Sequence, residues 1–469
     1  MKKYWNWRKN WKNLNRNLRN NIHFIAIGGS VMHNLAIALH KKGYHVTGSD
    51  DEIFEPAKGR LNHYGLLPPS PGWYPEKIKP SLDAVILGMH ARKDNPELIK
   101  AGELGIRIYS FPEYLYEQTK NKKRIVIAGS HGKTTITSMI MHTLKNNGFS
   151  FDYMVGSIIE DFDTMVELRD ENTLAVFEGD EYLTSPIDPR PKFHLYKPHI
   201  GLITGIAWDH MNVFPSFENY VEQFRIFTGM ISEAVVFFEG DTTLAEIVES
   251  HKKDVDVYPY TAIPASAEGN QSVVTHLKTR IPLQVFGHHN MQNLAGAMKT
   301  CKLLGLSEEN FLQAMTTFRG AAKRQEHLAG NDRHDVYLDF AHAPSKVKAT
   351  TEAFRHQFPG KKLITCLELH TFSSLNAAFL PQYKNSLELA DAAMVFYDPA
   401  VIEHKKLKMI SPEQVKAAFN RKDLIVLRDR EMVEPEIMKL KEPDSILLIM
   451  TSGNFSGLSL PDLAKHYIT

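Results

Sequence analysis

Cysteine is almost missing from this chain: Cys301 and Cys366 are the two thiols in 469 residues. They stand far apart and lack metal-ligand spacing, which excludes a disulfide framework and suits a reducing cytoplasm, the expected compartment. No apolar run is long enough to span a bilayer, so membrane insertion is not expected. An excess of charge is missing too. With 55 Lys and Arg against 54 Asp and Glu, the formal net charge is +1. That balance argues against a general nucleic-acid coat or a polybasic membrane surface and leaves small molecules as the expected partners. The unbalanced stretch is residues 1–21, with three tryptophans (Trp5, Trp7, Trp11), seven Lys or Arg, many asparagines and no acid. No apolar h-region follows it, so it reads as a basic extension and not as a secretory signal.

What is present is enough apolar residue, 43% of the chain, to build roughly three domains of ordinary size. The most informative stretch begins with the apolar run Ile125 to Ala128 and breaks into Gly129-Ser130-His131-Gly132-Lys133-Thr134-Thr135. It resumes with helical spacing at Ile136, Met139, Ile140 and Leu144. Strand, glycine loop and helix in that order form a phosphate cradle: the glycines let the backbone turn, and the helix N-terminus favours negative charge. Lys133 would reach the outer phosphates of a nucleotide and Thr134 would hold Mg²⁺. The usual glycine five residues before the Gly-Lys pair is here Ile127, so the loop is a shortened variant. The competing reading is a plain glycine-rich turn, which leaves the lysine and the two threonines without a purpose. Lys133 is expected at a loop surface, so its removal is expected to spare the fold.

Residues 22–121 read as a first Rossmann-like domain. His23 to Ile27 is a strand, Gly28-Gly29-Ser30 a tight loop, and His45 to Gly48 a second strand ending at Asp50, where a dinucleotide fold places its ribose-binding acid. Ser30 and His33 occupy the second and third glycine positions of the dinucleotide fingerprint, so NAD is not expected. A nucleotide diphosphate could still sit on the loop; a simple βα turn is the alternative. Residues 122–322 form the expected central nucleotide-binding domain. Its strand Leu174 to Phe177 runs into Glu178-Gly179-Asp180-Glu181, and Ile200 to Ile206 runs into Asp209-His210. Carboxyl ends of parallel strands line the ligand crevice, which would bring Glu178 and His210 to the phosphates. Glu178 reads as a metal ligand with a surface acid as the alternative, and His210 as a ligand or equally as a hydrogen-bonded structural histidine. Asn290 and Asn293, three apart on one helix face, could read an adenine edge, although Asn290 could equally be the helix N-cap. Residues 323–469 alternate strands, from Asp335 to Leu338 through Ile446 to Met450, with helices, one opened by Ser411-Pro412.

With these pieces in place the chain resembles the Mur ligase family of ATP-dependent ligases. The motifs occur in the family's order: the Gly28-Gly29 loop, Gly129 to Thr135, Glu178 to Glu181, Asp209-His210, His289-Asn290 to Asn293, Lys323-Arg324, and Asp339 to Pro344. The resemblance implies an α/β fold of three domains, Rossmann-like, P-loop ATPase-type and Rossmann-like. It also implies formation of an amide through an acyl phosphate, with ATP and Mg²⁺ required. By this resemblance Lys133, Glu178, His210 and Arg324 are catalytic, with Thr134, Glu178 and His210 on metal. ATP would be held by Gly129 to Thr135, Asn290, Asn293, Arg324 and Asp339, and the UDP-sugar by Gly28, Gly29, Ser30 and Asp50.

Two branches of the family act on UDP-N-acetylmuramate. One adds L-alanine in new synthesis, and the other adds the recycled tripeptide L-alanyl-γ-D-glutamyl-meso-diaminopimelate. Tyr182 after the acidic box, the segment Asp188 to Phe193, and Phe340-Ala341 before His342 are similar to the tripeptide branch. Tyr182, Arg190 and His342 are accordingly expected near the peptide. Gly179, Gly205 and Ala343 depart from the family's usual alanine, asparagine and second histidine. A nicotinamide dehydrogenase offers no use for Lys133-Thr134, a simple kinase leaves both flanking sheets unexplained, and folylpolyglutamate synthetase lacks this type of first domain. A non-catalytic binding protein leaves intact nucleotide machinery without a role.

Overall fold

In the computed structural model, residues 21–208, 213–321 and 323–469 are described. The basic extension lies outside them, apart from Asn21, which opens the first strand.

Three mainly parallel sheets follow one another along the chain. The first contains β1 (Asn21–Ile25), β2 (His45–Ser49), β3 (Ala84–Leu87) and β4 (Ile108–Ser110), ordered β2-β1-β3-β4 and wholly parallel. The central sheet contains β5 (Lys123–Ala128), β6 (Asp152–Met154), β7 (Val166–Glu167) and β8 (Leu174–Glu178). The hairpin β9 (Leu183–Ser185) and β10 (Asp188–Pro191) leaves that sheet, and β11 (Ile200–Ile203), β12 (Ala234–Phe238) and β13 (Asp256–Tyr260) complete it. Its order is β13-β12-β11-β5-β8-β6-β7, antiparallel at β6–β7 alone among its pairs. A small antiparallel sheet of β14 (Ala265–Glu268), β15 (Gln271–His276) and β16 (Thr279–Leu283) follows.

The last sheet is β17 (Glu326–Gly330), β18 (Asp335–Asp339), β19 (Lys362–Glu368), β20 (Ala392–Phe396), β21 (Ile425–Leu427) and β22 (Ser445–Met450), ordered β17-β18-β22-β19-β20-β21. Only its β17 edge is antiparallel. The inner strands are apolar along their length because both faces are covered by helices. The expected α/β class is the one observed.

The three sheets are joined unequally. One continuous apolar cluster runs from Phe24, Leu35 and Phe111 into Val126, Phe177 and Phe224, so the first and central sheets share a core. Polar contacts reinforce that seam: Met165 N–H donates to Asn34 Oδ1 (3.0 Å), and Lys42 pairs with Asp170 (2.8 Å). The last sheet has its own clusters. It meets the central region through Phe286, edge-on to Phe354 at 5.0 Å, and through a few hydrogen bonds described below.

Candidate active site

The P-loop leaves the carboxyl end of β5, between β8 and β11, and enters the helix Lys133–Asn146. Two glycines are obligatory here. Gly129 has φ +118° and Gly132 φ +79°; a Cβ at Gly129 would stand 2.1 Å from Thr204 Oγ1, and one at Gly132 2.2 Å from Asn293 Oδ1. No side chain fits at either position, so the loop can close down on β11 and on the helix His288–Leu303 only with glycine.

Lys133 Nζ donates to Gly129 O (2.7 Å) and to Glu181 Oε2 (2.6 Å). The lysine side chain is 14% exposed and that of Glu181 1%, so this is an enclosed pair and not the loop-surface cation expected from sequence. Burial pulls the Lys133 ammonium down, but the Glu181 and Asp180 carboxylates outweigh it and hold the group above its ordinary value. Glu181 also accepts from Tyr220 OH (3.2 Å), which lies 2.9 Å from Ser130 Oγ. A chain of polar contacts thus ties the acidic box to the loop.

The Thr134 hydroxyl donates to Glu178 Oε1 (2.8 Å), and Gly156 N–H to Oε2 (2.7 Å). A hydroxyl beside a carboxylate is a hard oxygen donor set, which fits Mg²⁺. His210 and its neighbour Asp209 lie outside the described residues. Among the described residues no three His, Cys, Asp or Glu form a ligand cluster.

A cavity of about 850 Å³ opens between the loop and the last sheet, lined among others by His131, Asn290, Asn293, Arg324 and Asp339. Its size suits a nucleotide. Asn290 is not the N-cap: that residue is Gly287, and Asn290 sits inside the helix, donating to Phe286 O (3.0 Å) and Gln325 Oε1 (2.8 Å). Asn293 Nδ2 donates to Asn290 Oδ1 (3.3 Å), so the two amides do share one face. Asp339, at the end of β18, accepts from the backbone of Gln325 (2.9 Å) and Ala341 (2.7 Å). His131 Nε2 lies 2.9 Å from Ser345 Oγ, a direct contact between the P-loop and the last domain. Burial, then His288 and Arg324, push the imidazole of His289 down to about 4, so this wall of the cavity carries a neutral ring.

A second cavity, about 530 Å³, lies on the other side of the loop and is lined by residues of all three sheet regions. Thr134, Glu178, Asp180 and Lys192 border it, with Phe111 from the first region and Phe340 from the last. Arg324 lines both cavities, its guanidinium 4.6 Å from the centre of the Phe340 ring.

The remaining expected residues are distributed differently. Gly28 N–H donates to Asp50 Oδ2 (2.7 Å), closing the first loop on its acid. Burial, with Asp51 close by, pushes the Asp50 carboxyl up to about 6. Ser30 opens the helix Ser30–Lys41 and touches Met165 Sδ at 3.5 Å. Arg190 is not brought to either cavity: its guanidinium donates to Asp188 (2.6 Å) on the exposed hairpin. His342 Nδ1 lies 2.8 Å from Phe340 O, and Tyr182 stays beside Lys192, whose Nζ is 5.6 Å from its ring centre. Sequence reading missed Gln325, Thr204 and Ser345, which act through contacts between distant segments and leave no local pattern. Glu181 could have been found, since it stands in the acidic box.

Residues 21–123 match the Mur ligase family catalytic domain, and residues 127–301 the Mur ligase middle domain; together these take in more than half of the chain. Relatives of two kinds match. A UDP-N-acetylmuramate–L-alanine ligase of Limosilactobacillus reuteri is 28% identical over 80% of this chain and 85% of its own length. A UDP-N-acetylmuramate–L-alanyl-γ-D-glutamyl-meso-2,6-diaminoheptandioate ligase of Haemophilus influenzae is 26% identical over 95% and 98%. Among solved structures, the UDP-N-acetylmuramate-alanine ligase of Thermotoga maritima superposes with a TM-score of 0.71 at 21% identity, covering 96% of this chain and 98% of that one.

Proposed function

From the premise that the chain belongs to the Mur ligase family, and so is an ATP-dependent amide ligase of peptidoglycan synthesis, we propose that it joins UDP-N-acetylmuramate to the recycled tripeptide L-alanyl-γ-D-glutamyl-meso-diaminopimelate. The observation that carries the reading is that Arg324 lines both a nucleotide-sized cavity and a second one, bordered by Thr134 and Glu178, that reaches Val31 and Phe111 of the first sheet region. An ATP γ-phosphoryl group at that junction would meet a carboxylate arriving from the other side. The lactyl carboxylate forms a bond to the γ-phosphorus as the bond to ADP breaks. The incoming amine then attacks the acyl carbon, and phosphate departs.

Lys133 and Arg324 neutralise the charge that spreads over the transferring group. The loop from Gly129 to Thr135 cradles the phosphates, Asn290 and Asn293 hold the adenine, and Asp339 meets the ribose side from the last domain. Mg²⁺ held by Thr134 and Glu178, with His210, would lower the phosphate charge. Gly28, Gly29, Ser30 and Asp50 seat the uridine diphosphate. The domains we assign are 22–121 for the UDP-sugar, 122–322 for ATP and 323–469 for closure.

Tripeptide over L-alanine is supported by the segment Asp188 to Phe193. Its strand β10 pairs with β9 and leads directly to Lys192, which lines the second cavity, and by sequence the segment resembles the tripeptide branch. The experiment offers ATP and UDP-N-acetylmuramate with either amine and follows ADP. Release must depend jointly on the sugar nucleotide and an amine, and kcat/KM should favour the tripeptide. A preference for L-alanine assigns the chain to the other branch.

A further inference from the structure

The second cavity contains groups that the steps above leave unused. Tyr196 is fully buried, yet its hydroxyl has no hydrogen-bond partner among the described residues, and Ser157 Oγ is in the same condition. Both residues line the cavity. Native proteins rarely leave buried hydroxyls without a partner, so two on residues that line one cavity point to a ligand that supplies oxygen. Burial first, then the Asp180 and Glu178 carboxylates, hold the Tyr196 phenol well above its ordinary range, so it remains a donor at physiological pH.

Lys192 borders the same space. Its Nζ is 2.5 Å from Asp180 Oδ2 and lies 5.7 Å from the Phe111 ring centre and 5.6 Å from that of Tyr182, with the side chain 14% exposed. Arg324 adds a second cation. The two acids at the border are already engaged, Glu178 by Thr134 and Gly156 N–H, Asp180 by Lys192 and Tyr182 N–H. Two unpartnered hydroxyls, beside Arg324 and the Asp180-paired Lys192, are therefore the groups placed to meet an anionic oxygen. Val31 and Phe111 of the first sheet region also line the cavity, and Val31 directly follows the loop Gly28 to Ser30, so the anion would belong to a molecule whose other end rests on that loop.

We propose that Tyr196, Ser157 and Lys192 form the seat of the acid substrate's reacting carboxylate and of the acyl phosphate made from it, an assignment that rests on the ligase reading above. One carboxyl oxygen bonds to the γ-phosphorus while the bond from phosphorus to ADP breaks. The other oxygen stays a carbonyl and accepts from Tyr196. When the amine attacks the carbon, an electron pair moves onto that oxygen, which Tyr196 and Lys192 stabilise, and the amine releases a proton to solvent. The pair returns as the carbon–oxygen bond to phosphate breaks, and phosphate leaves with the bonding electrons.

The test compares equilibrium binding of UDP-N-acetylmuramate with that of UDP-N-acetylglucosamine, which lacks the lactyl carboxylate, by calorimetry with a non-hydrolysable ATP analogue present. Wild type should prefer the first. Lys192→Met should lose about tenfold of that preference and Tyr196→Phe several-fold, both leaving UDP-N-acetylglucosamine affinity within about twofold; Lys192→Arg should retain it. If Lys192→Met also lowers the melting temperature, Tyr196→Phe decides, because it conserves the packing. Variants that melt normally and keep the full preference overturn the seat while leaving the ligase reading intact. Wild type that binds neither nucleotide overturns both.

Discussion

At the scale of single residues, charge placement is what the structure adds. Lys133 was legible from its neighbours in the sequence, but its partner was not, because Glu181 reaches it across 48 positions of chain. The pair changes what truncation does. Lys133→Ala should lower turnover at least about a hundredfold through lost phosphate stabilisation. It should also destabilise by about 1–3 kcal/mol, short of the fully buried range because the side chain keeps 14% exposure. Adding Glu181→Gln should restore most of the melting temperature and none of the turnover; a double variant that melts no higher than the single one removes the pair from the stability argument. Asp50 makes a different prediction. Its folded value of about 6 stands above an unfolded carboxyl near ~4. Below ~4 both states are protonated; between ~4 and ~6 the folded state holds more proton, so stability falls as pH rises and levels off above, by at most about 3 kcal/mol. Asp50→Asn should therefore gain stability over wild type at about pH 7.5 and little at about pH 4.5. An equal difference in melting temperature at both would refute the assignment.

At the scale of elements, apolar runs bounded by glycine and polar residues located β1, β5, β8, β18 and β22 within a residue or two, because strands buried on both faces announce themselves by composition. The pieces at or beside sheet edges, β6, β7 and β17, were not legible: β6 and β7 are three and two residues long, and β17 is a partly exposed edge strand whose register shifts between His327 and Ala329, so none leaves a period to read. The start of the helix His288–Leu303 shows the limit in another way. Asn290 has the chemistry of a cap, yet Gly287 takes that place and Asn290 turns inward to Gln325, a choice made by tertiary contact. That helix also fixes the P-loop. Because a Cβ on Gly132 would enter Asn293 Oδ1 from a left-handed backbone, Gly132→Ala should cost about 1–3 kcal/mol and weaken ATP-analogue binding at least about tenfold. The same substitution at Gly148, past the helix end with nothing within 4 Å of its Cβ, should leave analogue binding unchanged. Equal losses at the two positions would show that backbone strain alone, and not the Asn293 contact, governs the loop.

At the scale of the whole molecule, the unequal seams determine which part moves. The first and central regions share one apolar cluster, and separating them would expose Phe111, Phe177 and Phe224 together. The last region is held by Phe286 against Phe354, by His131 with Ser345, by Asn290 with Gln325, and by Gln357 Nε2 donating to Gly269 O (3.0 Å) and Gln271 O (2.9 Å). Polar contacts of this kind exchange readily with water and contribute about 1 kcal/mol each, so the last region is the one expected to swing. Arg324 and Asp339 travel with it, and both line the cavity that the P-loop closes from the other side; a nucleotide bridging them would bind the closed form better than the open one, which is the condition for shifting the equilibrium. Small-angle scattering should show a smaller radius of gyration with an ATP analogue and UDP-N-acetylmuramate than without ligands, and Ser345→Ala should leave that change in place while Asp339→Ala reduces it. Superimposable curves with and without ligands would mean that the contacts seen here are already closed in solution, and that ordering of the last domain is not what the nucleotide contributes.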